Sequence, residues 1–171
     1  MTRAVRRAGL IAAAAVLVAA AALLLPPHDC LVVRTGSGRI AALFRLAGEE
    51  PAFVISWLHS VTKEPCAEYY RKGEGGAIEL YKTVFGGLGA GLPFGDEGGT
   101  VSLRDGAIVI EGMKRTLPRI DLVALPLTEH RLTVGGRRHD IIGLLGGGHR
   151  AVFTIERKST GRVLLARAGR R

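Results

Sequence analysis

Cysteine, tryptophan and aromatic residues in general are scarce in this chain. Of its 171 residues two are Cys, one is Trp, and aromatics make up 5%. Two cysteines allow at most one disulfide. Neither Cys-x-x-Cys nor His-Glu-x-x-His occurs, so no recognised metal spacing is present. No Gly-Lys-Ser/Thr follows the glycine-rich stretch, which removes a Walker loop. Beyond residue 30 no stretch of convincing length keeps a helical period, which removes a helical bundle. Acid is missing from both ends. Residues 1–25 carry Arg3, Arg6 and Arg7 and no acid, and residues 157–171 carry six basic groups and no acid. The net charge of +9 therefore sits at the termini, and the body is neutral with 15 groups of each sign. A nucleic-acid binder carries its positive charge on a folded face, so that class of partner is set aside.

What is there is enough for one domain. The apolar fraction is 47%, charged residues are 23% and glycine reaches 24, which excludes a disordered chain and suits strands and turns. The chain divides into residues 1–27 as a signal peptide or membrane anchor, 28–156 as a β domain, and 157–171 as a last strand and basic tail. Residues 9–25 form an apolar run of 17 after a basic flank, ended by Pro26 and Pro27. That length lies between a secretory core and a spanning helix, so cleaved signal and uncleaved anchor both stay open. Leu23-Leu24-Leu25 is a poor cleavage junction and favours the anchor. Either way the basic flank stays inside and the body crosses the membrane. The expected address is the cell envelope: anchored in the inner membrane with a periplasmic domain, or free in the periplasm if the leader is cleaved. In that oxidising setting Cys30 and Cys66 are candidates for a disulfide, or else two small buried hydrophobes. The C-terminal arginines either solvate the end of the chain or rest on an anionic membrane surface.

Beyond residue 30 the pattern is one of hairpins. Residues 31–35 and 39–46 flank Gly36-Ser37-Gly38; 101–104 and 107–111 flank Asp105-Gly106; 131–134 and 137–142 flank Gly135-Gly136; 151–157 and 162–166 flank Ser159-Thr160-Gly161. The expected fold is all-β, an antiparallel β-sandwich or barrel built of hairpins, preceded by one N-terminal hydrophobic helix.

Residues 53–93 carry most of the information. Residues 53–60 read as a strand and 66–72 as its return. If residues 62–65 form a four-residue loop, Val61 pairs with Cys66, Ser60 with Ala67, and His59 with Glu68. Strand side chains alternate, so His59 then shares the apolar face of Phe53, Ile55 and Trp57, with Glu68 at ~5 Å between Cβ atoms. Such a pair can orient a general base, ligate a metal, clamp a polar ligand, or fix the hairpin as a satisfied core pair. Ser60 points to the opposite face, which makes it a poor nucleophile for His59. Residues 78–85 read as a strand that ends in Gly86, then Gly87, Leu88, Gly89, Ala90, Gly91, Leu92 and Pro93. No helix start follows this loop, so it is no phosphate cradle; it is either a tight surface turn or a docking loop. Glu129-His130, His139-Asp140 and Gly146-Gly147-Gly148-His149 are thinner candidates.

His59-Ser60-Val61-Thr62 with Pro65 and Glu68, followed by residues 87–93, resemble a family of small bacterial proteins of unknown function. The resemblance covers residues 30–130 and implies an N-terminal hydrophobic segment and one short β-rich domain. It also implies a genomic neighbour, the tripartite periplasmic (TRAP) transporters of the TAXI subtype. Cys66 stands where the family suggests an aliphatic residue, so a disulfide there departs from it. Two functions are expected. One is a non-enzymatic extracytoplasmic accessory of a TAXI-type TRAP transporter, touching its membrane subunits or its binding protein through residues 87–93. The alternative is a small-ligand or metal-dependent enzyme using His59 and Glu68. No cofactor is implied by either motif.

Overall fold

A computed structural model describes residues 7, 9–13, 26–46, 52–87, 98–159 and 161. Residues 9–13 are helical. The rest of the expected hydrophobic helix, 14–25, lies outside the described residues, as do 88–93 of the glycine-rich loop. Among the described residues no helix is long and apolar enough to cross a membrane. Asp29–Glu156 forms one compact unit and is described by itself.

Eleven strands are described: β1 (His28–Thr35), β2 (Ile40–Arg45), β3 (Phe53–Leu58), β4 (Pro65–Lys72), β5 (Ile78–Phe85), β6 (Thr100–Arg104), β7 (Ala107–Leu117), β8 (Ile120–Val123), β9 (Arg131–Val134), β10 (Arg137–Asp140) and β11 (Arg150–Lys158). They make a four-stranded sheet in the order β2-β1-β11-β8 and a seven-stranded sheet in the order β10-β9-β3-β4-β5-β7-β6. The architecture is the antiparallel all-β one expected. Among the described residues, helical structure between the strands is confined to single turns at Glu74–Gly76, Pro126–Thr128 and Ile141–Leu144.

The turns follow from residues able to adopt positive φ. Arg104 pairs with Ala107, leaving a two-residue loop in which Asp105 and Gly106 have φ of 50° and 79°. Val134 pairs with Arg137 across Gly135 and Gly136, at 57° and 71°. Both loops match the twist of the strands that they join. The third expected hairpin forms between β1 and β2. Of the fourth, only β11 is described, and it lies between β1 and β8. Its expected return strand, 162–166, lies outside the described residues.

Period-two burial builds the core. Ala151, Phe153 and Ile155 of β11 and Leu31 and Val33 of β1 face Phe53, Ile55, Ile78, Leu80, Ile110 and Leu132 of the larger sheet in one apolar cluster. Phe53 stacks on Tyr70 with ring centroids 5.0 Å apart, which fixes how β3 lies on β4.

That register corrects the expected one. Ile55 faces Glu68, Ser56 faces Ala67, Trp57 faces Cys66 and Leu58 faces Pro65. Glu68 therefore meets a residue four positions before His59 on β3. His59 has left the strand: its N–H donates to the Glu64 carbonyl at 2.8 Å and its carbonyl accepts from Lys63 at 3.0 Å. The loop runs over residues 59–64 rather than 62–65. The offset is even, so Glu68 keeps its inward face, but the His59–Glu68 pair does not form.

The disulfide does not form either. Cys30 and Cys66 are both buried thiols. Cys30 sits with Val32 on the face of β1 opposite Leu31 and Val33, which enter the core, whereas Cys66 faces inward from the other sheet. Side chains so directed cannot meet without moving backbone.

Candidate functional site

Directly opposed residues share a face, so the pairings order the inner side of the larger sheet into rows. One row reads Leu132, Ile55, Glu68, Thr83, Ile110 and Val101. The next, at the β3–β4 turn end, reads Trp57, Cys66, Phe85, Ile108 and Leu103. His130 continues this second row, since its ring stacks on Trp57 at 6.0 Å with planes 14° apart. Cys66, Glu68, Tyr70 and Thr83 are thus polar positions on an otherwise apolar face, with His130 beyond Trp57.

Glu68 finds its partner along its own strand. Tyr70, two residues on and on the same face, donates its hydroxyl to Glu68 Oε2 in a very short hydrogen bond. Burial pushes the Tyr70 phenol well above the ordinary tyrosine range, and the neighbouring Glu68 charge adds to this. The phenol therefore remains a donor. Burial also raises the Cys66 thiol, with help from Glu68 and Glu64 and against a backbone hydrogen bond from Gly86. A thiol so held is a poor nucleophile.

His130 is both buried and hydrogen-bonded. It is 8% exposed, and Nδ1 lies 2.8 Å from Thr128 Oγ1. Thr128 spends its hydroxyl proton on the Leu125 carbonyl at 3.0 Å. Nδ1–H must therefore donate to Thr128, which leaves Nε2 as the acceptor of a neutral ring. Burial lowers its pKa and favours that neutral form.

His59 does different work. Its Nδ1 accepts from the N–H groups of Val61 and Thr62 at 3.3 and 3.2 Å, closing the β3–β4 turn from inside. His59 thus engages the backbone of its own turn, while Glu68 accepts from Tyr70.

The two motifs nevertheless meet. Gly86 donates its N–H to the Pro65 carbonyl at 2.7 Å. A Cβ on Gly86 would fall 2.7 Å from Pro65 Cδ, and one on Gly87 would fall 3.3 Å from Glu64 Cγ. Gly87, at φ 131°, opens the glycine-rich loop from that point. The residue 59–64 turn and the start of the loop share one end of the sheet. Val61, 80% exposed, stands at its tip.

Beside β9 and β10 lies a shallow cleft of about 290 Å³ lined by Glu129, Arg131, Arg138, His139 and Asp140. Arg131 bridges Asp140 at 3.3 Å and Glu129 at 3.7 Å, so much of its charge is answered within the cleft. Among the described residues no three His, Cys, Asp or Glu side chains are grouped to hold a metal ion.

Tyr70 could have been found from the sequence, because a residue two positions along a strand shares the face of Glu68. The Thr128–His130 contact could not, since it depends on the single helical turn at Pro126–Thr128. The family model described as a domain of unknown function, DUF1850, matches residues 53–141, from the first strand of the larger sheet to the start of the single turn after β10. No curated protein and no solved structure matches the chain.

Proposed function

The chain belongs to the DUF1850 family, whose function is unknown, and from that premise we propose that it is a non-enzymatic accessory protein of the bacterial cell envelope that engages a partner through the turn end of its larger sheet. The observation that carries this reading is the junction of Pro65 with Gly86, which brings the residue 59–64 turn beside Gly86 and Gly87, where the glycine-rich stretch begins. The groups around it are spent on structure. His59 closes a turn, Glu68 holds Tyr70, and Cys66 is a raised, buried thiol. The partner proposed is a TAXI-type TRAP transporter, through its membrane subunits or its binding protein, on the strength of the genomic neighbourhood that the two motifs imply. Residues 9–25 supply the anchor or the export signal.

The test is affinity capture of the tagged full-length chain from its native membrane in mild detergent, with mass spectrometry of what accompanies it. TRAP subunits enriched over an untagged control, and lost from a Val61→Asp variant, are the expected result. Val61 is 80% exposed, so this change leaves the core untouched. Recovery of the chain without any TRAP component overturns the reading.

A further inference from the structure

The larger sheet has two unlike edges. On one side β10 carries Arg137, Arg138 and Asp140, the kind of charge that keeps a strand from pairing further. On the other side β6 reads Thr-Val-Ser-Leu-Arg, with no proline, one charge at its end, and no bulge in its pairing with β7. Among the described residues nothing pairs with its outer edge. Val101 and Leu103 stand 63% and 66% exposed, although they lie on the core face beside buried Ile110 and Ile108. The apolar surface of the sheet thus runs past the cover of the smaller sheet.

We propose that β6 pairs with β6 of a second copy of this chain, antiparallel about a two-fold axis at Ser102, to make one continuous sheet across a homodimer. Three features select a second copy over an unrelated strand. First, the sequence is self-complementary in this register: Val101 faces Leu103 of the second copy and the reverse, so four exposed apolar side chains cover one another. Second, the axis pairs Ser102 with itself on the face opposite Val101 and Leu103, and so small a side chain lets the two backbones close on one another. Third, the charges match. Thr100 pairs with Glu111 on the outer face, and Arg104 of the second copy arrives opposite Thr100, one strand beyond that carboxylate. Glu111 already holds Lys82 and its own Arg104 at 2.9 and 2.8 Å, and the interface extends this alternation reciprocally.

The experiment is oxidative crosslinking of the full-length chain in mild detergent. Ser102→Cys places two thiols across the axis, whereas Thr100→Cys places them ~14 Å apart, beyond the reach of a disulfide. A disulfide-linked homodimer from Ser102→Cys but not from Thr100→Cys is the expected result, and adding Val101→Lys with Leu103→Lys abolishes it. Because the N-terminal apolar run can associate by itself, sedimentation of the unmodified chain is compared with that of the double-lysine variant, which loses the dimer formed through β6. Equal crosslinking of the two cysteine variants overturns the proposal. So does a Ser102→Cys product that joins a different protein, or an assembly mass that the lysines leave unchanged.

Discussion

Gly86 and Pro65 are in contact so close that no side chain fits between them. A methyl group on Gly86 would lie 2.7 Å from the proline Cδ and 2.8 Å from its carbonyl oxygen, both parts of a rigid backbone segment. Gly86→Ala must push β4 and the end of β5 apart, at a cost of about 2 kcal/mol, typical of overpacking. Gly148 supplies the control. Its Cβ would meet nothing nearer than 3.6 Å, so Gly148→Ala changes stability by no more than about 0.5 kcal/mol. Denaturant midpoints of the two variants check the difference.

His130 makes stability depend on pH near neutrality. Its pKa is lower in the folded chain than in the unfolded one because burial beside Trp57 disfavours the imidazolium. Above the ordinary histidine value of about 6.5 both states are neutral and the contribution is fully present. As pH falls below that value the unfolded chain takes up the proton first, so stability declines with acidification. Asp121, hydrogen-bonded by Arg150, and Glu111, hydrogen-bonded by Lys82, are held below the usual carboxylate range and do not titrate in that window. Unfolding free energies between pH 8 and pH 5 should fall for the natural chain and flatten for His130→Gln.

The Tyr70–Glu68 hydrogen bond is buried and involves a charged acceptor. Tyr70→Phe removes the donor while keeping the stack on Phe53, and should destabilise by roughly 1–3 kcal/mol. A double-mutant cycle with Glu68→Gln measures the coupling. Tyr70 also has a raised folded-state pKa, so its contribution is complete below the unfolded tyrosine value of about 10 and is lost above it. In an absorbance titration Tyr70 ionises only as the protein unfolds.

Cys30 and Cys66 are thiols at 0% and 4% exposure. A thiol-specific reagent should label neither in the native protein and both after denaturation. A reducing agent should leave the melting temperature unchanged. Labelling absent even after denaturation, with a two-hydrogen deficit in mass, would reveal a disulfide and refute the placement of the two strands.

Much of the fold is legible from local chemistry. Asp105-Gly106 and Gly135-Gly136 specify their turns because the φ values that they adopt are ones these residues accept. The strand at 78–85 coincides with the expected segment. The face of Glu68 was legible too, because alternation survives an even offset. Its partner was not. The register of β3 on β4 is set by the Phe53–Tyr70 stack, by the pairing of β3 with β9, and by His59 turning its imidazole onto the backbone of its own loop. Each is a tertiary contact or a side chain competing with the ladder, and neither kind is written in hydrophobic periodicity. The neighbours of β11 were not legible for a related reason. Nothing in residues 150–158 records that their neighbours are the first strand and the eighth.

That insertion of β11 has a consequence in time. Arg34 on β1 donates a hydrogen bond at 2.9 Å to Thr154 on β11, 120 residues later in the chain. The smaller sheet therefore has no complete form until the chain has been synthesised through β11. A chain arrested before residue 150 holds the β1–β2 hairpin and β8 with the strand between them missing, and contacts of such long sequence separation form slowly. Arrested chains should be cut readily by protease and released full-length chains should resist it. Maturation of this sheet waits on β11.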